Sequence, residues 1–235
     1  MDRCLTYMNC QLGQLIAGDK AKDEARPRSI TLSRQAGARA VTIGDVLARY
    51  LQEHDATPGK PWTLFDKALI QKVLEEHKLP RDLDKFMAEK VVGEVEGLIG
   101  EILGLHPSLW SLHHKITDTI YKLARSGHVI LVGRGANLVC ASLDNVFHVR
   151  LVGSEEKRIR HLMAYHGMDP LEAEKYLHEQ DTARAAYVRK HFDRDIDDPL
   201  IYDIVINTDH LTDIEVVRLI AAAVLAENRK RDLSV

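Results

Sequence analysis

Residues 30–44 read ITLSRQAGARAVTIG, and this stretch decides the fold. Ser29, Ile30, Thr31 and Leu32 form a short apolar, β-branched lead-in of the kind that makes a buried strand. From Val41 to Tyr50 the apolar residues recur with helical spacing. Between them stand Ser33, Arg34, Gln35, Ala36, Gly37, Ala38, Arg39 and Ala40. The order is strand, phosphate-type loop, helix. Such a loop needs glycines so that backbone N–H groups can wrap phosphate oxygens, a lysine for the outer phosphate charge, and a Ser or Thr for magnesium. Here Gly37 and the Thr42 hydroxyl stand in suitable places, and the loop has no lysine.

Working outward, strands alternate with helices. Residues 62–65 form a second short strand, and Asp66 is a good N-cap for an amphipathic helix over 67–77. Residues 80–126 are helix-rich, with Phe86, Val91, Val95, Leu98, Ile102 and Leu105 at threes and fours, and Pro107 separates a second helix over 109–125. The stretch 128–137, HVILVGRGAN, is an apolar strand ending in a glycine-flanked arginine, and 145–152, NVFHVRLV, is another strand. Ser154 and two acids then open a helix over 157–166, a long charged helix covers 169–190, a buried-type strand covers 202–208, and 212–227 is the closing helix. Alternation of this kind implies parallel βαβ units with ligands at the carboxyl ends of strands. The loops after Leu32, Val132 and Val152 lie there.

The 235 residues suit one α/β domain with a small insertion. Residues 1–27 read as an N-terminal appendage: a short helix over 5–16, then a charged linker, with Pro27 just before the first strand. The net charge of −3 gives no footprint for nucleic acid. Cys4, Cys10 and Cys140 are scattered and lack paired spacing, which disfavours a disulfide framework or a zinc knuckle. No apolar run reaches the length of a membrane span, and the N-terminus is too polar for a secretory signal. A soluble, cytoplasmic protein is the default expectation, and the N-terminal helix leaves a homo-oligomer open.

The set resembles the cytidylate kinase-like family of P-loop nucleoside monophosphate kinases. Four segments carry the resemblance in the expected order: ITLSRQAGARAVTIGDVLA, FDKALI, VILVGRGAN, and the run from FHVRLVGSEEKRIRHLM through DTARAAYVRKHF to DDPLIYDIVINT. The sequence departs from that pattern where Ala38, Arg39 and Ala40 follow Gly37, with Ala40 where cytidylate kinases put the lysine. The resemblance implies a central parallel sheet flanked by helices over residues 28–228, a helical insertion at 80–126 on the acceptor side, and a lid at about 167–200. It implies ATP as phosphoryl donor, Mg²⁺, and CMP or dCMP as the nominal acceptor.

In phosphoryl transfer the protein mostly positions groups and neutralises charge, so arginines, loop amides and magnesium ligands matter most. The ATP-phosphate candidates are Ser33, Arg34, Gln35, Gly37, Arg39 and Thr42, with Thr42 also the metal candidate. Arg34 or Arg39 could stand in for the lysine, since guanidinium binds phosphate in a fork. A solvated Arg39, or an Arg34 paired with an acid, is the competing reading. Arg134, between Gly133 and Gly135 after a buried strand, holds the acceptor phosphate by the resemblance; an arginine that caps a helix or ties down a carboxylate is the competing reading. Asp66 and Lys67 are weaker acceptor-side candidates by resemblance, Asp66 being a helix cap in any case. Arg184 and Arg189 fall in the lid-like stretch, where closing arginines offset charge on the transferred group. Asp181 joins them as a catalytic candidate; it stands one helical turn before Arg184, so an internal ion pair is the competing reading, as a solvated helix face is for Arg189. Asp198 before Pro199 reads as a turn residue. The histidines at 113, 114, 161 and 166 do not make a metal set. A nucleotide kinase is the leading expectation; a nucleotide-binding module that has lost turnover, or a kinase for another small phosphorylated acceptor, is the alternative.

Overall fold

The computed structural model describes residues 27–55, 61–66 and 109–226. The expected N-terminal helix, Lys67 with the helix over 67–77, and most of the 80–126 insertion lie outside the described residues. The elements, in order, are β1 (Ser29–Arg34), α1 (Ala40–His54), β2 (Thr63–Phe65), α2 (Leu109–Ser126), β3 (Val129–Val132), α3 (Ala136–Val139), β4 (Val146–Val152), α4 (Glu155–His166), α5 (Pro170–Phe192), β5 (Ile204–Asn207) and α6 (Asp213–Leu225). A 3₁₀ turn, Pro199–Ile201, precedes β5.

The five strands form one parallel sheet in the order β2-β3-β1-β4-β5. β1 is central, with Leu32 level with Val132 on one side and Val149 on the other. Central parallel strands are covered on both faces and so read as unbroken apolar runs. β3, VILV, is buried at every position. One face is covered by α1 and α6, through a core of Ile30, Leu32, Ile43, Leu47, Val149, Leu151, Val217 and Ile220. The other is covered by α2 and α3, through Phe65, Ile120, Val129, Leu131, Cys140 and Val146. That is the three-layer α/β architecture the alternation implies. β5 differs from expectation: among the described residues it is an edge strand paired only with β4, and Val205 is 40% exposed, so its apolar composition does not make it buried.

Two smaller clusters tie the long helix to the rest. Leu162 of α4 with Ala173 and Leu177 of α5 packs on Ala36 of the loop after β1. Tyr187 and Val188 near the end of α5 pack on Ile196. The helix termini follow their sequence signals. Asp169 caps α5 by accepting the Glu172 amide, with Pro170 in the first turn. Thr212 and Glu215 make a reciprocal capping box on α6. At α4, Ser154 occupies the cap position but its side chain does not cap; its hydroxyl and amide bond the Asp209 carboxylate. Among the described residues no helix is long and apolar enough to cross a membrane.

Candidate phosphate-binding site

The loop from Gln35 to Arg39 leaves the carboxyl end of β1 and is held from three sides. On the first, the amide of Gly153, after β4, donates to the Gln35 side-chain oxygen at 3.0 Å. On the second, the Ala36 amide donates to Asp181 Oδ1 of α5 at 2.7 Å, while the Ala36 carbonyl accepts from Arg158 Nη1 of α4 at 3.0 Å. On the third, the Arg39 guanidinium donates to the carbonyls of Thr208 and Leu211 at 2.6 and 2.7 Å and pairs with Asp213 at 2.8 Å. Arg39 has φ 61°, a left-handed conformation that costs a residue with a Cβ about 1–2 kcal/mol. Its side chain spends its charge on the β5–α6 turn. Gly37, with φ 75°, backs on α4 so closely that a Cβ there would lie 2.6 Å from the Arg158 carbonyl oxygen. The helix that follows, α1, has no side-chain cap at its first turn.

Arg158 was not singled out by its sequence context, yet it anchors this loop. It is 7% exposed, and its Nε donates to the Gly153 carbonyl at 2.9 Å. Its Nη1 pairs with Asp181 Oδ2 at 2.6 Å. Asp181 thus bridges the loop amide, Arg158 and, at 3.5 Å, Arg184. A buried guanidinium needs such a partner, because an unpaired buried charge is costly.

Three consecutive residues after β3, Gly133, Arg134 and Gly135, all have positive φ, with Arg134 at 59°. The turn brings Arg134 against a cavity of about 20 Å³ whose walls include Arg34, Arg184, Ser33 and Asn137. Arg34, Arg134 and Arg184 therefore meet at one place, at the carboxyl ends of β1 and β3. Ser33 is turned into the interior: its Oγ accepts from Arg150 Nη1 at 2.9 Å and lies 3.2 Å from the Tyr202 hydroxyl. Arg150, buried in the middle of β4, also pairs with Asp197 at 2.5 Å and lies under the Tyr202 ring. Burial pushes the Tyr202 phenol above its usual value, and its hydroxyl donates to the Ile196 carbonyl at 2.9 Å. A charge inside an apolar strand signals a buried partner, so VFHVRLV carried a readable sign of this network. Nothing comparable distinguishes Arg158 from Lys157 and Arg160 beside it.

The remaining candidates are placed as follows. Thr42 is half-buried in the first turn of α1. Asp66 directly follows β2, whose last residue, Phe65, is level with Leu131 of β3. Arg189 does not line the cavity; it is 69% exposed and paired with Asp193 at 3.9 Å. Asp198 accepts the Leu200 amide and opens the 3₁₀ turn, as a turn residue does. A separate cleft of about 360 Å³ is lined by Gly37, Arg39, Lys157, Arg158, His161 and Asp209. Burial, and after it the charge of Arg39, holds the His161 imidazole below its usual value against the opposing pull of Asp213.

The model of the cytidylate kinase-like family matches residues 29–210. The chain belongs to that family. Among solved structures, an uncharacterized protein from Eubacterium ventriosum is similar at 16% identity over 85% of this chain and 99% of that one, with a TM-score of 0.62. That likeness shows a shared fold. A shikimate kinase from Bacteroides thetaiotaomicron aligns at 17% identity over 85% of this chain and 99% of that one, with a TM-score of 0.45. A gluconokinase from Sinorhizobium meliloti aligns at 15% identity over 86% and 94%, with a TM-score of 0.42. No curated protein matches the sequence at a significant level. Within the family the chain is kinase-like, with a parallel five-stranded sheet and its polar loops gathered at the strands' carboxyl ends.

Proposed function

We propose that the chain is an ATP-dependent nucleotide kinase whose acceptor is a nucleoside monophosphate, CMP or dCMP being the nominal one. The observation that carries this reading is the meeting of Arg34, Arg134 and Arg184 in one cavity beside the loop after β1. Arginines from three parts of the chain lining one cavity suit a phosphoryl group passed between two phosphates, where catalysis is mainly positioning and charge neutralisation. An oxygen of the acceptor phosphate attacks the γ-phosphorus, the bond to the β,γ-bridging oxygen breaks, and a nucleoside diphosphate and ADP result. Arg134 holds the acceptor phosphate. Arg34 and Arg184 offset charge on the transferred group, and Arg189 joins them only if the end of α5 moves inward. The donor lies along residues 34–42, with its nucleoside in the cleft beside Gly37 and His161. Magnesium fits as part of the donor rather than as a resident ion, since it is commonly held by phosphates, waters and one or two protein oxygens, and Thr42 supplies one. A cytoplasmic setting, where ATP is at hand, goes with this reading.

A second reading keeps binding and drops turnover. It draws on Ala40, which stands in the lysine position and is packed in the core, and on the Ala36 amide, which is already bonded to a carboxylate. The deciding experiment is a coupled ADP-release assay with ATP and Mg²⁺ across CMP, dCMP, UMP and AMP, with Arg134→Ala alongside. Acceptor-dependent turnover that the variant loses supports the kinase. Binding of ATP or CMP without turnover supports the module instead.

A further inference from the structure

The loop that should receive donor phosphates already holds an anion, and the anion belongs to the protein. Asp181 puts one carboxylate oxygen 2.7 Å from the Ala36 amide nitrogen and the other 2.6 Å from Arg158 Nη1. A phosphate oxygen would want the same two donors, a backbone N–H of the loop and a guanidinium. The second is the more telling. The loop lacks a lysine, and Arg39 is committed to Thr208, Leu211 and Asp213. Among the described residues, Arg158 is a cation that reaches the loop from outside it, fixed by the Gly153 and Ala36 carbonyls. Arg158 is also among the residues that line the cleft of about 360 Å³ beside Gly37.

We infer that Asp181 is an internal placeholder for a donor phosphate, and that Arg158 supplies the charge the missing lysine would have given. The inference rests on the kinase reading for the identity of the ligand, but its geometry concerns any polyphosphate. An incoming phosphate takes over the Ala36 amide and the Arg158 guanidinium, and the displaced carboxylate stays with Arg184 on α5. Because Asp181 sits on the same helix as Arg184, at 3.5 Å from it, filling the loop and releasing that helix become one event. Affinity is then lowered by the fraction of molecules in which the carboxylate holds the loop. A carboxylate that merely braced the loop would have the opposite signature, since removing it would only weaken the site.

Inorganic pyrophosphate is the probe, because it carries neither base nor acceptor and its binding does not depend on turnover. With the full chain, calorimetric titration of Asp181→Asn is expected to show pyrophosphate bound about tenfold tighter than by the wild type. Asp181→Glu, which keeps the charge, should stay near the wild type, and Arg158→Lys should bind more weakly. Equal or weaker binding by Asp181→Asn overturns the inference, as does failure of both proteins to bind pyrophosphate at all. Removing Asp181 leaves Arg158 buried beside a neutral group and can impair folding, so the wild type supplies a second measurement. Saturating pyrophosphate should speed amide hydrogen exchange in α5 around Asp181, and binding with α5 unchanged or slower overturns the placeholder. A wild type that turns over acceptor while Asp181→Asn gains no affinity refutes the placeholder alone. Tighter binding with no turnover in any variant refutes the kinase reading alone.

Discussion

Two turns at the carboxyl edge of the sheet do the same topological task with opposite means. Each takes a buried parallel strand into a helix: residues 35–39 after β1, and residues 133–135 after β3. The second is local. Its three residues all take positive φ, two of them are glycine, and the third lifts Arg134 toward the cavity. The first is held from a distance, by Gly153, Asp181, Arg158 and the β5–α6 turn, and the arginine it carries in a left-handed conformation faces away to Asp213. A turn whose strain places a half-buried arginine at a cavity wall is where a ligand site is to be sought. A turn latched by its neighbours is built to hold its shape until one of them lets go.

The largest expected effect separates function from strain at the turn over residues 133–135. Arg134→Gly removes the guanidinium but keeps a residue at ease with φ 59°. Acceptor-dependent turnover should fall about a thousandfold, in line with other arginines on a transferred phosphoryl group. Stability should hardly move, because relief of about 1–2 kcal/mol of left-handed strain is offset by the extra freedom glycine brings to the unfolded chain. Turnover and melting measured on the same sample check it. A large loss of stability would mean that Arg134 is a structural tie. The next effect contrasts the two turns directly. In Gly37→Ala the new Cβ meets the α4 backbone at Arg158, whereas in Gly135→Ala it meets the Phe192 ring, which can turn aside. Both variants incur the positive-φ cost, so urea unfolding should show about 1–3 kcal/mol lost at Gly37 and less at Gly135. Equal losses would show that the loop is no more tightly latched than the turn.

The same contrast explains what the sequence made legible. VILVGRGAN announces both its strand and the arginine turn that lines the cavity, since the glycines and the apolar run are neighbours in the chain. The sheet, its parallel sense and most helix limits follow from similar local signals, such as Asp169-Pro170 at α5 and the Thr212/Glu215 box at α6. SRQAGARA names a phosphate-type loop, but the groups that occupy it stand more than a hundred residues away, so spacing could not reveal them. Asp181 and Arg184 read as one turn of helix with an internal pair, and that pair exists at 3.5 Å; that Asp181 also reaches the Ala36 amide is a tertiary fact. Arg158 was hidden for a related reason. Its neighbours are charged, and a charged helix face is usually solvated.

The smallest effect tests the third latch, where Arg39 grips the start of α6. The capping box there depends on the Glu215 carboxylate, which accepts from the Thr212 hydroxyl and amide at 2.7 and 2.8 Å. Those bonds hold the Glu215 carboxyl below its usual value of 4.5. Below that value the unfolded chain takes up a proton that the folded chain resists, so folding is disfavoured by acid. The contribution is therefore whole above pH 4.5 and is lost as pH falls through the depressed folded value. Melting curves of wild type and Glu215→Gln should differ near neutrality and converge in acid. Because Thr208, Leu211 and Asp213 flank the box, acid should loosen the phosphate loop's grip on the β5–α6 turn and leave the Gly133–Gly135 turn untouched. Amide exchange at residues 36–39, compared with 133–136 over the same pH range, reads the difference. Parallel change at both turns would mean that acid acts on the fold as a whole rather than through this latch.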